Sequence, residues 1–148
     1  MYKGLAERPR MDALPDPFPK HNRTMDAKEL MIGDWVEITK YGFFDQIVNM
    51  QAHSVISSHG DTIGVYDYEE LSYVAMSPEI LEKNGFVRLP GNNWKWSMGE
   101  ECITIFWEYD VAHVDAVNCT SSVEVAIVAV HELQHLLRVI DSSLTIEL

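Results

Sequence analysis

Ser121-Ser122-Val123-Glu124-Val125-Ala126-Ile127-Val128-Ala129-Val130-His131-Glu132-Leu133-Gln134-His135-Leu136-Leu137-Arg138-Val139-Ile140 is the stretch on which the fold turns. Ser121 with Glu124 three residues later has the form of a capping box, which would start one long helix ending at Ile140. Val123, Val125, Ile127 and Val128 argue the other way, because β-branched side chains lose rotamer freedom in a helix and pack well on a pleated sheet. The reading adopted is a strand over 123 to 128 and a short helix over about 130 to 140. In that helix Leu133, Leu136, Leu137, Val139 and Ile140 supply a core-facing side.

Working outward, the preceding segments 86 to 89, 93 to 98, 102 to 109 and 111 to 117 read as strands, with turns at Pro90-Gly91-Asn92 and Met98-Gly99-Glu100. Ile103, Ile105, Trp107 and Tyr109 share one face by alternation. Ser77-Pro78-Glu79 opens a helix over about 78 to 84, with Ser77 as N-cap, Pro78 at the first helical position and Gly85 as the stop. Between 28 and 74, short apolar runs separated by glycine turns predict a small antiparallel sheet curled into an SH3-like barrel. After Asp141-Ser142-Ser143, the segment 144 to 148 reads as a final strand. The expected fold is therefore α+β: an SH3-like small β-barrel over 28–74, then an antiparallel-sheet unit with two short helices over 75–148, packed as one compact protein. Residues 1–27 form a Pro-rich tail, and Met25 is a candidate start.

Composition limits the function classes. The chain has 148 residues, 47% of them hydrophobic, enough to bury a core without metal or disulfide. Its two cysteines, Cys102 and Cys119, form neither a disulfide framework nor a CxxC zinc site. The net charge is -12; residues 1–25 carry five basic and three acidic side chains, +2, which leaves -14 on the rest. Such a body repels phosphate, so nucleic acid is not an expected partner. An acidic mimic of nucleic acid is the charge-permitted alternative. The first 30 residues lack an apolar run and contain Pro9, Pro15, Pro17 and Pro19, so they read as neither signal peptide nor membrane span, and a cytoplasmic location is expected.

One segment proposes chemistry. His131-Glu132-Leu133-Gln134-His135 has the H-E-x-x-H spacing, which on a helix stacks two imidazoles for one zinc and offers Glu132 as general base. Asp141, six residues after His135, is the candidate third ligand, although Arg138 stands where the short zinc-protease pattern has glycine. His113 and Asp115 are other candidates that a fold can recruit. Against this, the surrounding leucines make a core helix, in which histidines serve as hydrogen-bonded packing residues. Trp94, Trp96 and Trp107 could line a sugar or peptide groove, but at strand spacing they read first as core.

Three stretches carry a resemblance: Glu29-Leu30-Met31-Ile32-Gly33-Asp34-Trp35-Val36; Met76-Ser77-Pro78-Glu79-Ile80-Leu81-Glu82-Lys83-Asn84-Gly85-Phe86; and Val130-His131-Glu132-Leu133-Gln134-His135-Leu136. In order and spacing the chain resembles a group of small proteins from anaerobic gut bacteria and their mobile elements. The resemblance implies a β-rich front half and no known activity or cofactor. In that group the positions of Glu132 and His135 commonly hold Gln and Asn, which implies that H-E-x-x-H is a coincidental variant here. The functional expectation is a non-enzymatic binding or adaptor module for a protein partner, free of metal and cofactor, with a homo-oligomer allowed. The zinc hydrolase built on His131, His135, Asp141 and Glu132 stands as the alternative.

Overall fold

The computed structural model describes residues 25–118 and 121–148; the expected tail up to residue 24, and Cys119, lie outside the described residues. Two antiparallel five-stranded sheets follow one another along the chain. The first contains β1 (Trp35–Ile38), β2 (Phe43–Met50), β3 (Ser54–His59), β4 (Thr62–Asp67) and β5 (Leu71–Tyr73), in the order β4-β3-β2-β1-β5. After α1 (Pro78–Lys83), the second contains β6 (Val87–Leu89), β7 (Asn93–Met98), β8 (Glu101–Glu108), β9 (Val111–Val117) and β10 (Ser122–Ile127), a meander in the order β10-β9-β8-β7-β6. The chain ends with α2 (Val130–Val139) and an irregular segment. The fold class is α+β, and the strand-then-helix reading of 121–140 matches β10 and α2.

The expected SH3-like barrel is not formed. Closure requires the outer strands to pair, and β4 and β5 instead remain the two edges of an open sheet. β5 has only three residues, and the Met25 N–H reaches its side, donating to the Leu71 carbonyl at 3.2 Å. Met25 is itself buried and Asp26 caps a short 3-10 turn, so Met25–Ala27 belong to the packed structure and the expected tail does not extend through them.

The expected final strand is also corrected. Residues 144–148 join no ladder and are tied down by side chains instead. The Trp35 indole N–H donates to the Ile146 carbonyl at 2.9 Å, and Asn84 exchanges two hydrogen bonds with the Glu147 backbone at 2.8 and 2.7 Å. Leu144 and Ile146 are buried in the core, so the alternation that suggested a strand belongs to a strap packed over α2 and α1. Tyr109 departs from its expected face too: it is 93% exposed in the β8–β9 turn, with a φ of 57°.

Each sheet has its own core. In the first, Val36, Ile38, Ile47, Val55, Leu71 and Tyr73 are closed over by Met25 and Leu30. In the second, Trp94, Trp96, Ile103, Ile105, Val114 and Ala116 face Val130, Leu133, Leu136 and Leu137 of α2, with Leu81 and Phe86 alongside. Trp94 and Trp107 meet edge to face at 6.0 Å, a core contact. The segments before α1 and before α2 cross as a single antiparallel bridge, Ala75 with Ala129, flanked by Met76 N–H to Val128 O and Val130 N–H to Val74 O. No helix among the described residues is long and apolar enough to cross a membrane.

Leu133 is fully buried where α2 meets the second sheet. Truncating it removes contacts and leaves a cavity. Leu133→Ala is expected to cost about 3 kcal/mol in a denaturant titration, whereas Val139, expected on the core-facing side but 78% exposed in the structure, tolerates Val139→Ala within about 0.5 kcal/mol.

Candidate functional site

The H-E-x-x-H segment occupies α2, and its polar side meets the loop that leads into β1. Ala129 at the N-cap has no side-chain acceptor, so Glu132 caps the helix from its N3 position: one carboxylate oxygen accepts from Val128 N–H at 2.9 Å and from Ala129 N–H at 3.0 Å. The candidate general base is thereby committed to the helix end.

Gln134 spans the gap between the two halves. Its Oε1 accepts from Trp35 N–H at 2.9 Å and its Nε2 donates to the Gly33 carbonyl at 2.9 Å, a carbonyl that also accepts from Gln46. One position on, the His135 Nε2 lies 2.7 Å from Asp34 Oδ2; a carboxylate only accepts, so the imidazole carries its proton on Nε2. Arg138 completes the contact. Its Nη1 lies 3.3 Å from Asp34 Oδ1, an ion pair without hydrogen-bond alignment, and its Nη2 donates to the Ile32 carbonyl at 3.0 Å. Asp34 is wholly buried and its Oδ2 also accepts from Met31 N–H at 2.8 Å. Gly33 has a φ of 98°, a backbone conformation that side chains rarely adopt, and this is what favours glycine beside Asp34.

His131 lies deeper. It packs edge-on to Tyr73 at 6.3 Å and to His135 at 5.5 Å, and its Nδ1 has no hydrogen-bond partner among the described residues. Burial holds its pKa below the ordinary 6.5; Asp34 and Glu132 oppose that shift, and His135 adds to it.

The other zinc candidates do not join this pair. Asp141 follows α2 in a left-handed conformation, φ 54°, and borders a polar cleft of about 410 Å³ with Gln134, Arg138 and the C-terminal strap. His113 and Asp115 point from β9 to the side of the second sheet opposite α2, since their neighbours Val114 and Ala116 are the core-facing residues. His113 lies 3.4 Å from Glu108 there. Among the described residues no three His, Cys, Asp or Glu side chains group as a metal site. Gln134, His135 and Arg138 thus join α2, which packs on the second sheet, to the loop that leads into β1.

Sequence reading missed Asp34 and a second buried acid, Asp45. Asp45 accepts from the Ser57 hydroxyl at 2.5 Å, with the half-turned His59 ring 3.6 Å from its other oxygen. Serine, histidine and aspartate meet, but Ser57 is bonded to the acid and the His59 Nδ1 contacts the Phe44 carbonyl, so no base faces the hydroxyl.

Asp34→Ala leaves His135 and the Met31 amide without their acceptor and Arg138 without its counter-charge, and a loss of roughly 3 kcal/mol is expected by denaturant titration. His131 gives a pH signature. Its folded pKa is depressed, so the unfolded chain takes up the proton first as pH falls; stability is full above about pH 6.5 and declines below it. The denaturation midpoint of the wild type should fall between about pH 7.5 and 5.5, and His131→Gln should flatten that slope. Compared with protein-family models, with curated proteins and with solved structures, the chain matches none.

Proposed function

We propose that this chain is a non-enzymatic binding module whose partner is another protein. The observation that carries the reading is the commitment of the H-E-x-x-H side chains: Glu132 caps α2 and His135 is bonded to Asp34. A general base must be free to take a proton from the reacting group, and a catalytic zinc needs a third protein ligand beside two histidines, which no His, Cys, Asp or Glu side chain among the described residues supplies here. The resemblance to small proteins of gut bacteria and their mobile elements agrees with this reading, since Gln and Asn at positions 132 and 135 keep a polar side chain for capping and for Asp34. A cytoplasmic location suits the same reading.

The surface supplies what a binding module needs. The side of the second sheet away from α2 carries Phe106, Val87 and Val117, each more than a third exposed. The acidic-mimic alternative would need carboxylates aligned along an elongated face, and this one mixes acids with Thr104, Phe106 and Ala126.

The test is zinc content and hydrolysis of peptide and ester panels by protein purified without chelator or histidine tag, alongside Glu132→Gln and His135→Asn. Expected are sub-stoichiometric zinc and blank-level hydrolysis in all three, with His135→Asn melting about 3 °C lower, the effect of roughly 1 kcal/mol at this length. One zinc per chain that His135→Asn abolishes, with hydrolysis that Glu132→Gln abolishes, would overturn the binding reading.

A further inference from the structure

From Trp96 to Leu137 the sequence contains no lysine or arginine, while Glu100, Glu101, Glu108, Asp110, Asp115, Glu124 and Glu132 fall within it. The fold gathers part of this imbalance onto one surface. Across β8, β9 and β10, Thr104, Asp115 and Glu124 stand in register as one row, and Phe106, His113 and Ala126 as the next. These six side chains border a cleft of about 470 Å³. Asp115 and Glu124 are directly opposed, which is unfavourable for like charges. Among the described residues neither has an ion-pair partner; Lys95 lies in the same row but beyond Thr104, roughly 10 Å from Asp115 by strand spacing.

β10 also ends the sheet. It pairs with β9 on one side only, and no described backbone hydrogen-bonds to its other side. Edge strands are commonly blunted by lysine, proline or a bulge. Ser122-Val123-Glu124-Val125-Ala126-Ile127 has none of these, and its register with β9 is uninterrupted. A strand added here would place alternate side chains beside Glu124 on the open face and beside Val123 and Val125 on the other.

Resting on the binding-module reading, we propose that β10 takes an extended basic segment of another protein as a sixth strand of the second sheet. The segment alternates lysine or arginine, facing Glu124 and Asp115, with aliphatic residues that extend the contact along Val123 and Val125. Backbone ladder bonds supply affinity, and the alternation sets face and register. The unpaired acids explain the sign of the partner: a neutral or acidic strand would leave the Asp115–Glu124 repulsion in place, whereas a cation beside Glu124 relieves it.

The test titrates the full chain with a capped hexapeptide alternating lysine and valine, read by calorimetry and by amide hydrogen exchange. Exchange at 122–127 should slow on binding, and affinity should fall as salt rises. Glu124→Lys should weaken binding about tenfold or more and should create affinity for the glutamate–valine counterpart, while Glu69→Lys, in the turn between β4 and β5, leaves binding unchanged. Binding that survives Glu124→Lys, or that leaves exchange at 122–127 unaltered, overturns the proposal. So does a free chain whose 122–127 amides are already protected, by its own residues 1–24 or by a second copy detected in sedimentation. Absence of peptide binding with blank-level hydrolysis overturns this proposal and leaves the binding-module reading intact. Hydrolysis that depends on Glu132 overturns that reading whatever the peptide does.

Discussion

A buried carboxylate is costly unless its charge and lone pairs are answered, and Asp34 has no solvent to answer them. It sits at the entrance to β1, and its partners, besides the Met31 amide, come from α2. Gln134, His135 and Arg138 reach the same loop because residues three and four apart on a helix share a side. The opposite side of α2 is fixed by Leu133, Leu136 and Leu137 on the second sheet. With one side of the helix bound to each half, the relative placement of the two sheets rests on this buried charge and its partners together with the Ala75–Ala129 bridge and the Gln134 bonds.

The same constraint changes how the most suggestive motif is understood. H-E-x-x-H has the spacing of a zinc site because helical geometry brings positions 131 and 135 together, and any pair of contacts that a helix makes with one loop uses that geometry too. Two of the three stretches that carried the resemblance, 29–36 and 130–136, are the partners in this contact. Their residue types are accounted for by local structure: Gly33 by its positive φ, Gln134 by the Trp35 amide and the Gly33 carbonyl.

Local structure was legible where local chemistry decides it. Ser77, Pro78 and Gly85 mark the ends of α1, and the β-branched run 123–128 marks β10 against the capping-box alternative. Closure of the first sheet was not legible, because glycine turns give the number of strands and not whether the outermost ones meet. Residues 144–148 alternate like a strand, but the bonds that hold them come from Trp35 and Asn84, far away in sequence. Asp34 gave no signal for the same reason, since His135 and Arg138, which answer its charge, lie far away in sequence on α2. The absence of lysine and arginine between Lys95 and Arg138 is plain in the sequence, yet its meaning depends on the register that sets Asp115 against Glu124.

The separation along the chain has its own consequence for how the molecule assembles. Both sheets grow largely by hairpins between neighbouring strands, contacts of low order that form quickly. The contact between Asp34 and His135 joins residues 101 apart. Its closure entropy falls due only after nearly the whole chain has been made and α2 has formed. The two hairpin arrays are therefore expected to fold as separate early units, with the helix-to-loop junction as the late, rate-limiting closure. A defect at Asp34 would then slow that closing step without slowing the formation of either sheet.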